Sequence, residues 1–203
     1  ALPQASYRMI AVVDIALLAI FGFSMAYLAG LSLLALFAGK RQLSEPGRRR
    51  RFALVVPAHN EEPSVRRTVE SLLAVDYPQE QFDVIVIADN CTDRTDEIAR
   101  DAGAKVYVRT NASERGKGYA LRWCFDQLLR LDPSYDAIVV IDADSTASKN
   151  FLSVMNNYLE NGAKAIQCSD MVEPQPGAWS SEVTRLGFTL YNHVRPLGRS
   201  VIA

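Results

Sequence analysis

The stretch "IVVIDADSTAS", Ile138 to Ser148, sets two carboxylates, Asp142 and Asp144, directly after the apolar run Ile138–Ile141. A short run of branched apolar residues bounded by polar ones reads as a buried strand. Two like charges at the end of such a strand repel each other and are costly to keep ionised beside a low-dielectric core. A cation between them removes that cost. Residues i and i+2 of an extended segment point the same way, so Asp142 and Asp144 can face one ion. A hard divalent cation, Mg²⁺ or Mn²⁺, suits such oxygen ligands and completes its shell with waters and phosphate oxygens. The competing reading is a strand-to-helix loop in which the aspartates only cap backbone amides.

Working outward, the same strand-then-polar pattern recurs. "FALVVP" (Phe52–Pro57), "DVIVIA" (Asp83–Ala88), "AKVYVRT" (Ala104–Thr110) and "AKAIQC" (Ala163–Cys168) read as further strands. Between them, helical spacing places Val65, Val69, Leu72 and Leu73 on one face after Pro63, and Leu121, Phe125, Leu128 and Leu129 on another. Thr95–Gly103, Phe151–Asn161 and Ser180–Tyr191 complete the helices. Alternating strands and helices predict a mostly parallel sheet covered on both faces, in which ligands bind beyond the carboxyl ends of the strands.

Those ends are where polar groups collect. Strand one runs into Pro57-Ala58-His59-Asn60-Glu61-Glu62, strand two into Asp89-Asn90-Cys91-Thr92-Asp93, and strand four into Asp142-Ala143-Asp144. After strand three, Gly116-Lys117-Gly118 can bring a cation to the same edge, although the longer spacing and the Ser/Thr of a P-loop are missing. Each feature also has a plainer reading: Asn60 and Glu61 as caps ahead of Pro63, Asp89 as an Asx-turn, His59 as a local hydrogen-bond partner, and Trp123 and Trp179 as packing residues.

The chain has 203 residues with Lys plus Arg 22 and Asp plus Glu 23, a balance that gives no reason to expect nucleic acid. The apolar segment Ile15–Ala38 carries no charge. At ~1.5 Å per residue its roughly 24 residues span the ~30 Å hydrocarbon layer, so residues 1–40 read as a segment with one transmembrane helix. Asp14 then marks its outer end. Lys40, Arg41 and Arg48–Arg51 follow it, and residues 41–51 read as a basic linker touching anionic headgroups. Cys91, Cys124 and Cys168 have no metal-like spacing and fit a reducing compartment.

The segments "VVPAHNEE", "VIADNCTDRT", "RGKGYALRW" and "VVIDADS", in this order and spacing, resemble the family-2 glycosyltransferases, inverting enzymes with a GT-A, Rossmann-like fold. The resemblance covers roughly residues 52–203. It implies that this part is the nucleotide-sugar-binding half of the transferase domain, taking a UDP- or GDP-sugar. It implies that Pro57, Ala58, Asn60, Glu61 and Asp89 line the nucleoside pocket, that Lys117 lies near it, and that Asp142 and Asp144 bind metal and diphosphate. The segment "AIQCSDMVEPQPGAWSSEVTRLGF" (Ala165–Phe188) resembles the membrane-bound, polysaccharide-synthase-like branch, which implies a glycan or lipid-linked acceptor.

The sequence departs from the family in lacking the acidic general base and the Gln-x-x-Arg-Trp motif of that branch. The base is expected beyond Ala203, so this chain alone is expected to bind donor without transferring sugar. Two other readings of the sequence are a nucleotidyltransferase, which would want a Gly-rich loop where "PAHNEEPS" has none, and a membrane-tethered nucleotide-sugar-binding module without turnover.

The positive charge following the span predicts a single-pass protein of a bacterial-type inner or plasma membrane whose residues after 40 face the cytosol. Protease added to the cytosolic face of sealed vesicles is expected to digest the domain, and protection of the domain from that side would overturn the orientation.

Overall fold

The computed structural model of the chain describes residues 4–39, 47–131, 134–172 and 178–202. In order, its elements are α1 (Gln4–Ala35), β1 (Phe52–Ala58), α2 (Val65–Leu73), β2 (Phe82–Asp89), α3 (Thr95–Asp101), β3 (Lys105–Arg109), α4 (Lys117–Leu131), β4 (Ala137–Val140), α5 (Phe151–Glu160), α6 (Trp179–Thr189) and α7 (Arg195–Ser200). They fall into two compact units, Leu43–Ile166 and a second made of Ala1–Gln42 with Gln167–Ala203.

The larger unit is a four-stranded sheet of order β3-β2-β1-β4, with every neighbouring pair parallel. β1 lies inside it and is apolar on both sides. Phe52, Leu54, Val56 and Ala58 face a core completed by Val65, Val69 and Leu72 of α2, Ala99 of α3 and Leu152 of α5. Ala53 and Val55 face the other side, against Ala120, Cys124 and Leu128 of α4. A strand buried on both faces reads as a continuous apolar run rather than an alternating one, which is why "FALVV" and "VIVIA" were legible as interior strands. Burial raises the Cys124 thiol to about 11, so it sits in this core as an uncharged apolar group.

Two expectations need correction. The fourth strand is an edge, only partly buried, and ends at Val140. The fifth strand is not formed: residues 163–168 lie in no regular element, and Ile166 packs against the core while its neighbours are largely exposed. A strand persists only where its backbone groups meet a ladder partner, and "AKAIQC" has none among the described residues.

The arginine run, expected at lipid headgroups, also has partners within the domain. Arg50 pairs with Asp136 at 3.0 Å and with Glu160, and Arg51 pairs with Asp83 at 3.2 Å while its guanidinium lies 4.6 Å from the Tyr135 ring centre. The run is therefore tied to the amino-terminal edge of the sheet. The partners stand 32 to 110 positions away in the chain, out of reach of local reading.

In the smaller unit, Ile10–Ala35 is long and apolar enough to cross a membrane by length and composition. Helix α1 begins before Asp14. Its Leu31 meets α7 so closely that a Cβ on Gly198 would stand 2.0 Å from the Leu31 carbonyl oxygen, a contact only glycine allows. The helix expected over Ser180–Tyr191 is present as α6 and continues through a π-helical turn, Leu190–Val194, into α7.

Two carboxylates anchor the arginine run. Burial raises the Asp136 pKa, but the Arg51 N–H, the Arg50 guanidinium and nearby Arg48 outweigh it and hold the group below its ordinary 3.8. Asp83 is likewise raised by burial and lowered further by Lys105, the Tyr135 hydroxyl and Arg51. A depressed folded-state pKa contributes stability that is present above 3.8 and lost as pH falls through the folded value. Asp136→Asn is expected to melt lower than the parent at neutral pH and to lose less stability than the parent on acidification below 3.8. Parallel melting curves at all pH values would refute the assignment.

Candidate functional site

The parallel sheet sends the carboxyl ends of all four strands to one edge. There they surround a cavity of about 430 Å³ within the larger unit, in the size range of small-ligand sites. Its wall holds Pro57, Ala58 and Glu61 from the end of β1, Asp89 from β2, Lys117 from the start of α4, and Asp142 and Asp144 after β4. These are seven of the eight residues singled out from sequence. The eighth, Asn60, is beside the cavity rather than in its wall: with φ 57° it turns its side-chain oxygen to accept the Thr92 N–H at 2.8 Å.

The loops after β1 and β2 brace each other. The Glu61 N–H donates to the Thr95 hydroxyl at 2.8 Å, and the Glu62 N–H donates to Asp93 at 3.1 Å. Glu61 also accepts the Ser64 hydroxyl at 2.7 Å, so it caps the approach to α2 as well as lining the cavity. Burial alone would raise Asp93, but the Thr95 hydroxyl and the Thr95 and Glu62 amides bring its pKa below the usual carboxylate value. It is a loop brace, held in its ionised form.

Asp142 and Asp144 do not sit on an extended segment as expected. A turn closes here, with the Ser145 N–H donating to the Asp142 carbonyl at 3.1 Å. Ala143 between them is buried, and its carbonyl accepts the Thr68 hydroxyl at 2.7 Å. Both carboxylates are exposed and line the cavity. Lys117 forms an ion pair with Asp142. Among the described residues no third His, Cys, Asp or Glu joins them into a cluster of three or more. Two carboxylates alone fit a hard cation that takes its remaining oxygens from water and a bound diphosphate.

Asp89 is the opposite case. It is 5% exposed, and its Oδ1 accepts from Arg109 Nη1 at 2.6 Å and from Asn90 Nδ2 at 3.1 Å. Sequence reading missed Arg109, although its signal was present: the last residue of β3 stands in register beside Asp89. It gave Arg115 no role, named Asn90 and Gly116 only as parts of the runs after the strands, and took His59 for a local partner; all four line the cavity. His59 does make a local bond, its Nδ1 lying 2.7 Å from the Asp89 carbonyl oxygen. Gly116 has φ 110°, a backbone only glycine adopts freely, and the turn there delivers Lys117 as the first residue of α4.

Known proteins resemble this chain in sequence and in fold. The chain is 31% identical over 121 residues to the probable glycosyltransferase YdaM of Bacillus subtilis (strain 168), covering 57% of this chain and 28% of that protein. It is also 31% identical over 121 residues to a beta-monoglucosyldiacylglycerol synthase of Nostoc sp. (strain PCC 7120), covering 57% of this chain and 25% of that one. The chain thus spans about a quarter of the length of these curated relatives. In fold it resembles mannosyltransferase PcManGT from Pyrobaculum calidifontis, solved in complex with GDP-Man and Mn²⁺, with a TM-score of 0.59 at 18% identity over 84% of this chain and 49% of that one. The expected GT-A-like α/β architecture is the one found. The model of glycosyl transferase family 2 matches residues 53–201, from the second residue of β1 to just past α7, and the chain belongs to that family.

Proposed function

We propose that this chain is the donor-binding part of a membrane-anchored glycosyltransferase that takes a nucleoside-diphosphate sugar with Mg²⁺ or Mn²⁺ and serves transfer to a glycan or lipid-linked acceptor. The observation that carries this reading is the meeting of Asp89, Lys117, Asp142 and Asp144 around one cavity at the carboxyl edge of a parallel sheet. The relative named for diacylglycerol glycosylation supports a lipid acceptor, and the neighbour solved with GDP-Man and Mn²⁺ supports the donor and metal classes. The length and composition of α1 support membrane anchoring.

In this reading Asp89 accepts a hydrogen bond from the nucleoside, at the strand end where such sheets bind bases and riboses. Lys117 and Arg115 offer positive charge to the diphosphate. Asp142 and Asp144 hold the divalent cation, which when bound stabilises the departing diphosphate as a Lewis acid. Pro57 and Ala58 give the nucleoside an apolar wall, while Asn60 and Glu61 fix the loop that carries it.

Asp142→Asn and Asp144→Asn test the metal assignment. Each removes a charge from the cation site while leaving a good backbone cap. Titration with UDP and GDP in the presence of Mn²⁺ is expected to stabilise the parent by mass action, about 2.7 kcal/mol at a hundredfold excess over Kd. Both variants should lose most of that shift yet melt no lower than the parent without ligand. Equal ligand-induced shifts in all three proteins would defeat the reading.

Asp89→Ala separates the nucleoside end from the metal end. It should weaken nucleoside diphosphate binding both with and without Mn²⁺, because Asp89 does not touch the cation. A calorimetric affinity unchanged in both conditions would remove Asp89 from the site.

A further inference from the structure

Asp89 reaches the cavity already bonded. One carboxylate oxygen, Oδ1, takes both the Arg109 guanidinium at 2.6 Å and the Asn90 side-chain amide at 3.1 Å. A carboxylate has roughly four lone-pair positions and no donor of its own when ionised. With Oδ1 engaged and the residue lining the cavity, Oδ2 is the oxygen left to accept from a ligand. The Arg109 side chain is 4% exposed, so it cannot itself reach bulk solvent or act as a general phosphate-steering charge.

The same guanidinium has a second set of contacts. Arg109 Nη1 also donates to the Glu114 carbonyl at 2.8 Å, and Nη2 donates to the Glu114 carboxylate at 3.2 Å. Asn111 adds its side-chain amide to that carboxylate at 3.1 Å. Its backbone N–H donates to the Asn90 side-chain oxygen at 2.8 Å, closing the network back onto Asp89's neighbour. Asn90 holds φ 52°, a left-handed conformation that Asn tolerates, and its side chain serves both partners. Directly after Glu114 come Arg115, Gly116 and Lys117, all of which line the cavity. A rigid, planar fork is suited to such bridging, whereas a lysine ammonium is a single point donor.

We propose that Arg109 is a positioning residue that binds the two ends of the site together: it fixes the Asp89 carboxylate for the nucleoside, and through Glu114 it fixes the Arg115–Lys117 turn for the diphosphate. This rests on the reading that the cavity takes a nucleoside diphosphate. The consequence is that the loop bearing Lys117 is set by the same group that orients Asp89, so the register between base and phosphate is built into one buried side chain.

The test uses Arg109→Lys and Glu114→Ala, titrated with uridine, guanosine, UDP and GDP, each with and without Mn²⁺. Arg109→Lys keeps the buried positive charge but cannot bridge both carboxylates. It should lose about tenfold in affinity for the preferred nucleoside, the worth of one charge-assisted hydrogen bond, and more for its diphosphate. Glu114 is 53% exposed in its side chain, and removing it spares the Asp89 contact. Glu114→Ala should leave nucleoside affinity unchanged and weaken the diphosphate on the order of tenfold. A merely structural role would lower the melting point without changing the ratio of nucleoside to diphosphate affinity. If Arg109→Lys does not fold, Glu114→Ala decides alone: an unchanged ratio overturns the proposal. Parent-like binding of both ligand classes by both variants overturns it while leaving the donor reading intact. Failure of the parent to bind either diphosphate overturns the donor reading and this proposal together.

Discussion

A parallel sheet obliges every strand to return by a crossover, so its strands all end at the same edge. Here that constraint places the residues after β1, β2, β3 and β4 within one cavity wall, although they are scattered from Pro57 to Asp144 in the chain. β1 is the pivot. It is hydrogen-bonded on both sides, to β2 and to β4, and buried on both faces. The ladder runs one residue past β4, the Ile141 N–H donating to the Val55 carbonyl at 3.0 Å, and the next residue is Asp142. The register of the central strand therefore fixes how far the acidic turn projects.

The sheet's two edges are chemically separate. At the amino-terminal edge Asp83, Asp136 and Glu160 pair with Arg48, Arg50, Arg51 and Lys105, ion pairs that join the segment leading into β1 to β2, β3, the start of β4 and α5. At the carboxyl edge Asp142 has one lysine and Asp144 has no ion pair among the described residues. Charge is spent on holding the fold at one edge and left open to a ligand at the other. This is the asymmetry expected of a binding edge, where incomplete compensation is what a cation or a phosphate can complete.

How much of this could be read from the sequence follows from the range of the interactions. Interior strands are local patterns, and β1 and β2 appear where the apolar runs stand. Seven of the residues singled out at or after strand ends line the cavity, since the parallel topology takes those ends to one edge. What needed three dimensions was everything resting on a partner far along the chain. The pairing of Arg50 and Arg51 with Asp136, Glu160 and Asp83 could not be seen in the sequence. "AKAIQC" had the composition of a strand but no neighbour to pair with. The Asp142–Ser145 turn shares its residues with the extended reading, and only the hydrogen bond to the Asp142 carbonyl separates the two.

The ion pairs that the cavity-lining Asp142 and Asp89 make differ in the property that decides their roles. Lys117 and Asp142 have side chains 51% and 61% exposed. A pair so open is worth about 0–1 kcal/mol, since water competes for both charges. It can part at little cost, freeing a carboxylate for a cation and an ammonium for an anion in the same movement. Arg109 and Asp89 are 4% and 7% exposed. Separating a buried pair leaves an uncompensated charge, a loss of about 3–5 kcal/mol, so this pair persists whatever enters the cavity. The wall is thus fixed on the Asp89 side and yielding on the Asp142 side. A ligand with a rigid aromatic end and a flexible charged end would meet each where it is accommodated: shape and hydrogen-bond direction at the buried carboxylate, charge exchange at the exposed one.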